Sequence, residues 1–138
     1  MIRLIDIRER PLDPAEVLGA VDDSRAGAVN LFSGLVRDHD HGESVSHLNY
    51  SAHPSALERL REVAQQIADE HDVHALAAVH RIGALQIGEV AVLVAAAAAH
   101  RDQAYDASRA LIDRLKAEVP IWKHQVFADG SDEWVATP

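Results

Sequence analysis

Residues 102–127 read DQAYDASRALIDRLKAEVPIWKHQVF and change from a helical pattern to a strand pattern. An amphipathic helix over 102–118 is predicted by one apolar stripe, made of Ala104, Ala107, Leu111 and Leu115. Pro120 lacks a backbone N–H and disfavours helical geometry at the residue before it, so the helix is expected to end there. Residues 121–127 then predict a strand that forms a closing hairpin with 133–136.

Two lysines lie on either side of this corner. Lys116 falls on the last helical turn, and Lys123 follows Trp122 in the predicted strand. Two interpretations remain open from this segment alone. In one, a rigid corner holds two ammonium groups that bind an anion, or that lower one another's pKa until one acts as a base. In the other, both are solvated surface lysines.

The rest of the chain alternates between strands and helices. Strands are predicted over 2–7, 26–36, 44–52, 73–80 and 89–98, and helices over 14–21 and 54–70. A polar loop at 37–42 joins two of these strands, which predicts a long hairpin, and the segment between Gly83 and Gly88 is predicted to turn. The alanine-rich strand over 89–98 conflicts with the helix preference of alanine. Hairpins interleaved with helices predict an α+β fold rather than a doubly wound parallel sheet.

Composition narrows the class of protein. With 138 residues, 48% of them hydrophobic and 25% charged, the chain is expected to form one globular domain over 1–138. A net charge of -9 argues against a nucleic-acid partner. There is no cysteine to form disulfides, thiolate nucleophiles or cysteine-ligated metal sites. The longest apolar run, 90–99, is too short to span a bilayer, so no membrane association and a cytoplasmic location are expected.

The polar loop carries candidate metal ligands. His39, Asp40 and His41 are close in sequence, and His47 is expected to approach them across the hairpin, which would give zinc three imidazoles and a carboxylate. No neighbouring residues that would fix these imidazoles are evident. A solvated hairpin tip is therefore the preferred interpretation, and no metal is predicted.

A His-Arg dipeptide occurs twice, as His80-Arg81 and His100-Arg101. Packing of the histidine and an ordinary ion pair of the arginine would explain either one alone. The second has the stronger functional case, because it precedes a helix whose free N–H groups favour a phosphate. Arg37 is another exposed cation of this kind. No dinucleotide-binding, P-loop or Ser-His-Asp pattern is present.

Six segments together resemble the large, catalytic subunit of molybdopterin synthase, the MoaE family. They are Phe32-Ser33-Gly34-Leu35-Val36-Arg37, Leu48-Asn49-Tyr50, His80-Arg81-Ile82-Gly83, Ala99-His100-Arg101, Leu115-Lys116 with Pro120-Ile121-Trp122-Lys123, and Asp129-Gly130 with Trp134-Val135. Their order and spacing match the family from about residue 3 to residue 135. The resemblance implies an α/β hammerhead-like fold with an additional antiparallel sheet.

The resemblance also implies a function. Members are sulfurtransferases of molybdenum cofactor biosynthesis that convert cyclic pyranopterin monophosphate to molybdopterin by forming its dithiolene. Each sulfur arrives as a thiocarboxylate on the C-terminal Gly-Gly of a small ubiquitin-like partner, and a homodimer of the large subunit carries two such partners in a heterotetramer. The family's catalytic lysine falls on Lys116 and its second active-site lysine on Lys123. Its substrate-anchoring residues fall on Arg37, His100 and Arg101, and no cofactor is implied.

Two positions depart from the family's pattern. His124 and Gln125 stand where the family usually has a basic residue and a glutamate. Loss of that carboxylate is expected to remove an ion-pair partner near the site and to alter a lysine pKa or the dimer contact. Two alternative functions remain: a noncatalytic module of the same fold that binds the ubiquitin-like partner, and a small metal-binding protein that uses the nine histidines.

Overall fold

The computed structural model describes residues 1–135, with nine strands and three helices in that part of the chain. In chain order the elements are β1 (Ile2–Arg8), α1 (Pro14–Ala20), β2 (Ala28–Leu35), β3 (His39–Asp40), β4 (Glu43–Ala52), α2 (Ala56–Glu70), β5 (Ala75–Arg81), β6 (Gly83–Leu85), β7 (Val90–Ala98), α3 (Arg101–Glu118), β8 (Ile121–Phe127) and β9 (Asp132–Val135). The predicted elements are confirmed within a few residues, whereas β3 and β6 were not predicted. Ala136, the predicted end of the last strand, lies outside the described residues. None of the helices in 1–135 is long and apolar enough to cross a membrane.

The first sheet has the strand order β1-β5-β7-β2. β1 runs parallel to β5, and the other neighbours are antiparallel. Helices α2 and α3 pack on one face of this sheet and α1 packs on the other. Because both faces are covered, the central strands are apolar along almost their whole length.

The alanine run lies in β7, at the centre of this sheet. Ala96 and Ala98 face α2 and α3, whereas Ala95 and Ala97 face α1, and all four are fully buried. Side chains of this size allow helices to approach the sheet closely on both faces. Packing in the fold therefore outweighs the local helix preference of alanine.

The predicted long hairpin between 26–36 and 44–52 is wrong. β2 pairs with β7 in the first sheet, whereas β4 pairs with β6 and β8 in the second. A Cβ atom at Gly34 would lie 2.6 Å from Val92 Cγ1, so glycine leaves room there for the Val92 side chain. The pairing register then shifts between Gly34 and Leu35, and the chain leaves β7. The polar segment that follows is a crossover between sheets.

The second sheet has the order β3-β4-β8-β9, and β6 pairs with β4. β8 and β9 form the predicted closing hairpin. β3 and β4 are joined through His41 and Gly42, which both have positive φ, as tight two-residue hairpins of the type I′ class require. The two sheets form the α/β hammerhead-like fold with an additional antiparallel sheet, and the α+β class is confirmed.

Candidate active site

A cavity of about 250 Å³ lies between the end of β2, the strands β3, β4 and β8, and the last turn of α3. Its polar lining residues are Arg37, Asp40, Tyr50, Lys116, Lys123 and Gln125. Three of the five residues expected at the site therefore meet here. We call this the lysine cavity.

Both lysines of the chain line this cavity, in a sequence that contains 13 lysines and arginines together. Lys116 lies on the last turn of α3, which ends at Glu118. Val119 is extended before Pro120, and β8 begins at the next residue. The predicted corner at Pro120 is confirmed, and it brings the two lysines to one cavity.

The alternation of side chains along β8 places Lys123 on the face of the sheet that lines the cavity. Lys123 pairs with Tyr50 and Gln125 pairs with Leu48 between β8 and β4, and directly opposed residues share a face of the sheet. Lys123 is half-buried, and this burial lowers its pKa. The nearby cations Lys116 and Arg37 lower the pKa of Lys123 further, whereas Asp40 raises it. An ammonium group with a lowered pKa is therefore present in the cavity.

Asp40 supplies the cavity with a carboxylate. Its Oδ2 accepts a hydrogen bond from Nε2 of Gln125 at 2.6 Å, and its Oδ1 accepts one from Nη2 of Arg37 at 3.1 Å. The bond from Gln125 contributes most to a lowered pKa of the Asp40 carboxyl, and nearby Lys123 contributes too. Asp40 is therefore an acidic neighbour of Lys123 in the cavity, and Gln125 binds it.

His80 is fully buried behind the cavity. Its ring meets Tyr50 edge-on with 4.9 Å between ring centroids, and its Nδ1 lies 2.6 Å from the carbonyl oxygen of Arg81. Burial lowers the pKa of His80 to about 4 and raises the pKa of Tyr50 to about 12. Arg81 forms an ion pair with Glu89. Both residues are buried, and within residues 1–135 Nε2 of His80 and Nε of Arg81 have no hydrogen-bond partner.

His100 and Arg101 lie at the opposite end of α3 from the lysine cavity. They line a separate hollow of about 670 Å³, beside Gly27 and Ala99. A helix rises about 1.5 Å per residue, so Arg101 and Lys116 are about 22 Å apart along the axis of α3. One copy of the chain does not bring these two groups of residues together.

The candidate metal ligands do not converge as a set. Among the described residues, Asp40, His41 and Glu133 place ligand atoms within 4.8 Å of one another, and His39 and His47 lie outside this group. His41 already contacts Glu133, with 3.2 Å between Nε2 and Oε1. His39 and His41 are exposed at the hairpin. Only His39 and His41 therefore fit a solvated hairpin tip, because the Asp40 side chain is only 16% exposed.

Comparison with known proteins identifies the family. The sequence model of the family described as "MoaE protein" matches residues 7–118. Molybdopterin synthase catalytic subunit 1 of Mycobacterium tuberculosis is 42% identical to the chain over 130 residues, which are 94% of this chain and 88% of the relative. The chain belongs to the MoaE family.

Further relatives and solved structures are similar to the chain. The molybdopterin synthase catalytic subunit of Bacillus subtilis is 35% identical over 94% of this chain and 83% of its own length. The crystal structure of molybdopterin synthase from Staphylococcus aureus matches with a TM-score of 0.89 and 33% identity, over 95% of this chain and 96% of that one. A Helicobacter pylori structure, described as a complex of subunits 1 and 2 of molybdopterin-converting factor, shares the fold at 22% identity, with a TM-score of 0.67 over 98% of this chain and 88% of that one.

Three polar residues of the cavity in this MoaE chain were not among the expected site residues: Asp40, Tyr50 and Gln125. Gln125 follows Lys123 by two positions in a strand, so period-two alternation alone would have predicted that both face the cavity. Asp40 carries no such signal, because its position depends on the short β3–β4 hairpin and on how that hairpin meets β8.

Proposed function

We propose that this chain is the catalytic subunit of a molybdopterin synthase. It converts cyclic pyranopterin monophosphate to molybdopterin by installing two dithiolene sulfurs, each taken from the C-terminal thiocarboxylate of a small ubiquitin-like partner. Membership of the MoaE family supports the reaction. The structural observation that supports the site is the meeting of Arg37 with both lysines of the chain in one cavity. We place the protein in the cytoplasm, as expected from the sequence.

The residues of the lysine cavity suit the parts of this reaction. Attack of a thiocarboxylate on the pterin side chain requires protons to be moved at the reacting carbons, and we assign that task to Lys116. Lys123 is half-buried in the same cavity and is assigned to positioning the partner's C-terminal group. Arg37 is exposed at the rim, where a guanidinium can grip the substrate phosphate with two parallel hydrogen bonds.

His100 and Arg101 are proposed to bind the substrate from a second copy of the chain. A small pterin cannot contact both ends of α3, because about 22 Å separates Arg101 from Lys116 along the helix. A two-fold homodimer can place the helix N-terminus of one copy beside the lysine cavity of the other. Each active site is then completed by residues of both copies.

Mixed dimers test this arrangement. Lys116→Ala and Arg101→Ala homodimers should each be inactive. A hybrid of the two has one site with both substitutions and one intact site, so random exchange at equal concentrations should restore about a quarter of wild-type turnover. A mixture that stays inactive after exchange would contradict the placement of Arg101 in the partner's site.

Reconstituted turnover tests the function itself. The protein is mixed with a thiocarboxylated ubiquitin-like partner and cyclic pyranopterin monophosphate, and molybdopterin is detected as its fluorescent oxidised derivative. We expect product from the wild type and none from Lys116→Ala, although that variant still folds and binds the partner. Stable binding of the partner without product from the wild type would instead indicate the noncatalytic module.

A further inference from the structure

Asp40 occupies an unusual place among the cations of the lysine cavity. Within residues 1–135 it is the one acidic side chain that lines this cavity, opposite Arg37 and the two lysines. Its side chain is only 16% exposed. The tight turn after Asp40 fixes the position of this residue, because Asp40 pairs with Glu43 across a loop of two residues.

Hydrogen bonds hold both oxygens of the Asp40 carboxylate. Gln125 donates to Oδ2 at 2.6 Å, while Arg37 and the backbone N–H of His41 each donate to Oδ1 at 3.1 Å. Gln125 is 3% exposed, so water cannot replace the bond that its amide makes. A carboxylate only accepts hydrogen bonds when ionised, and this requires the NH₂ group of Gln125 to point toward it. The hydrogen bond between Gln125 and Asp40 therefore stabilises the ionised form of Asp40.

The titratable and charged groups around Asp40 come from every element that encloses the cavity. They are Arg37 before β3, His41 in the turn, Tyr50 on β4, Lys116 on α3, Lys123 on β8 and Glu133 on β9. Burial disfavours the protonated form of Lys123, and the cations Lys116 and Arg37 act in the same direction. Asp40 is the larger of the two acidic influences that oppose them, ahead of Glu133.

We propose that Asp40 is a positioning residue that, held by Gln125, keeps Lys123 in its ammonium form and tethers Arg37 at the rim. The assignment of proton transfer to Lys116 rests on the function proposed above. The carboxylate that Gln125 lacks is supplied from β3, so that Asp40 bears the charge and residue 125 supplies the amide.

An exchange of the two side-chain types tests this proposal. Asp40→Asn removes the charge at nearly constant shape, and Gln125→Glu places a second carboxylate against the first. The double variant Asp40→Asn/Gln125→Glu again has one carboxylate and one amide, on exchanged positions. Asp132→Asn, which removes the same charge from an exposed residue of β9, is the matched control.

Titration of the lysine side chains by NMR gives a readout that needs no substrate. The chain has two lysines, so Lys116→Arg assigns their signals. We expect the pKa of Lys123 to be lower in Asp40→Asn than in the wild type, and to return toward the wild-type value in the double variant. Asp132→Asn should leave it unchanged. A Lys123 titration that Asp40→Asn does not move would overturn the proposal.

Turnover provides the second readout. We expect Asp40→Asn and Gln125→Glu each to lower product formation at least about tenfold, as loss of an oriented charge in an active site typically does, and the double variant to recover most of it. A double variant as impaired as Asp40→Asn would overturn the exchange of roles. A wild type that makes no product would count against the proposed function, and the titration alone would then decide the role of Asp40.

Discussion

Replacing each lysine of the cavity by arginine separates the two roles that we assign to them. Arginine keeps the positive charge but does not give up a proton at neutral pH. Lys116→Arg is therefore expected to lower turnover by about 10²- to 10⁴-fold, the usual contribution of a general acid or base. Lys123→Arg retains the charge that Asp40 faces, and it should remain at least about tenfold more active than Lys116→Arg.

The expected loss of turnover in Lys116→Arg is too large to arise from a change in folding stability. Lys116 is exposed on the last turn of α3, and arginine and lysine have nearly the same helix propensity. An exposed exchange of this kind should change the free energy of unfolding by no more than about 0.5 kcal/mol. The expected loss of turnover corresponds to about 3–5 kcal/mol of activation free energy, which is several times larger.

Product formation in the reconstituted reaction would be measured for both variants across the neutral and alkaline range, beside urea denaturation of each. Wild-type turnover in Lys116→Arg would refute proton transfer by Lys116, because a permanent cation would then suffice. Equal and severe losses in the two variants would refute the division of roles, even if both lysines proved essential.

Two further predictions concern stability. Ala96→Leu should lower the free energy of unfolding by about 1–3 kcal/mol, because residue 96 is fully buried where β7 packs against the helices. Ala84→Leu, at an exposed position of β6, is the control. Equal denaturant midpoints for the two variants would contradict the packing argument. The pKa of His80 is about 4 in the fold against an ordinary 6.5, so the unfolded chain binds more protons between these values. The contribution of His80 to the free energy of unfolding is therefore fully present above pH 6.5. It falls by about 3 kcal/mol as the pH drops to 4. His80→Phe should flatten that part of the curve of unfolding free energy against pH, and an unchanged slope would show that other groups cause it.

Local patterns predicted the elements of this fold better than the partners of its strands. Helix α3 and its end at Pro120 follow from apolar spacing and from the missing N–H of proline, which are properties of neighbouring residues. β2 pairs with β7, and partners such as Gly34 and Val92 are far apart in sequence. The mistaken hairpin arose because a polar loop between two strands has the same pattern whether the strands pair or enter different sheets.

Local patterns likewise did not predict all the residues that meet at the site. Arg37, Lys116 and Lys123 were expected at the site from the resemblance, and the cavity does bring them together. Asp40 belongs to a strand of two residues, which is too short for alternation to reveal. Its neighbours become evident only when the β3–β4 hairpin is placed beside β8, and this is a contact between elements rather than a pattern within one.

The choice between lysine and arginine along the chain supports a chemical role for the cavity. Lysine occurs only at residues 116 and 123 of the sequence, and every other basic residue apart from histidine is arginine. Where the fold needs a permanent cation it uses arginine, as in the ion pairs of Arg59 with Glu118 and of Arg114 with Glu70, which fasten the end of α3 to α2. Lysine differs from arginine chiefly in that its surroundings can bring its pKa within reach of neutral pH. Its restriction to one cavity, at a helix end held by arginine pairs, is what proton transfer by an accurately placed amine would require.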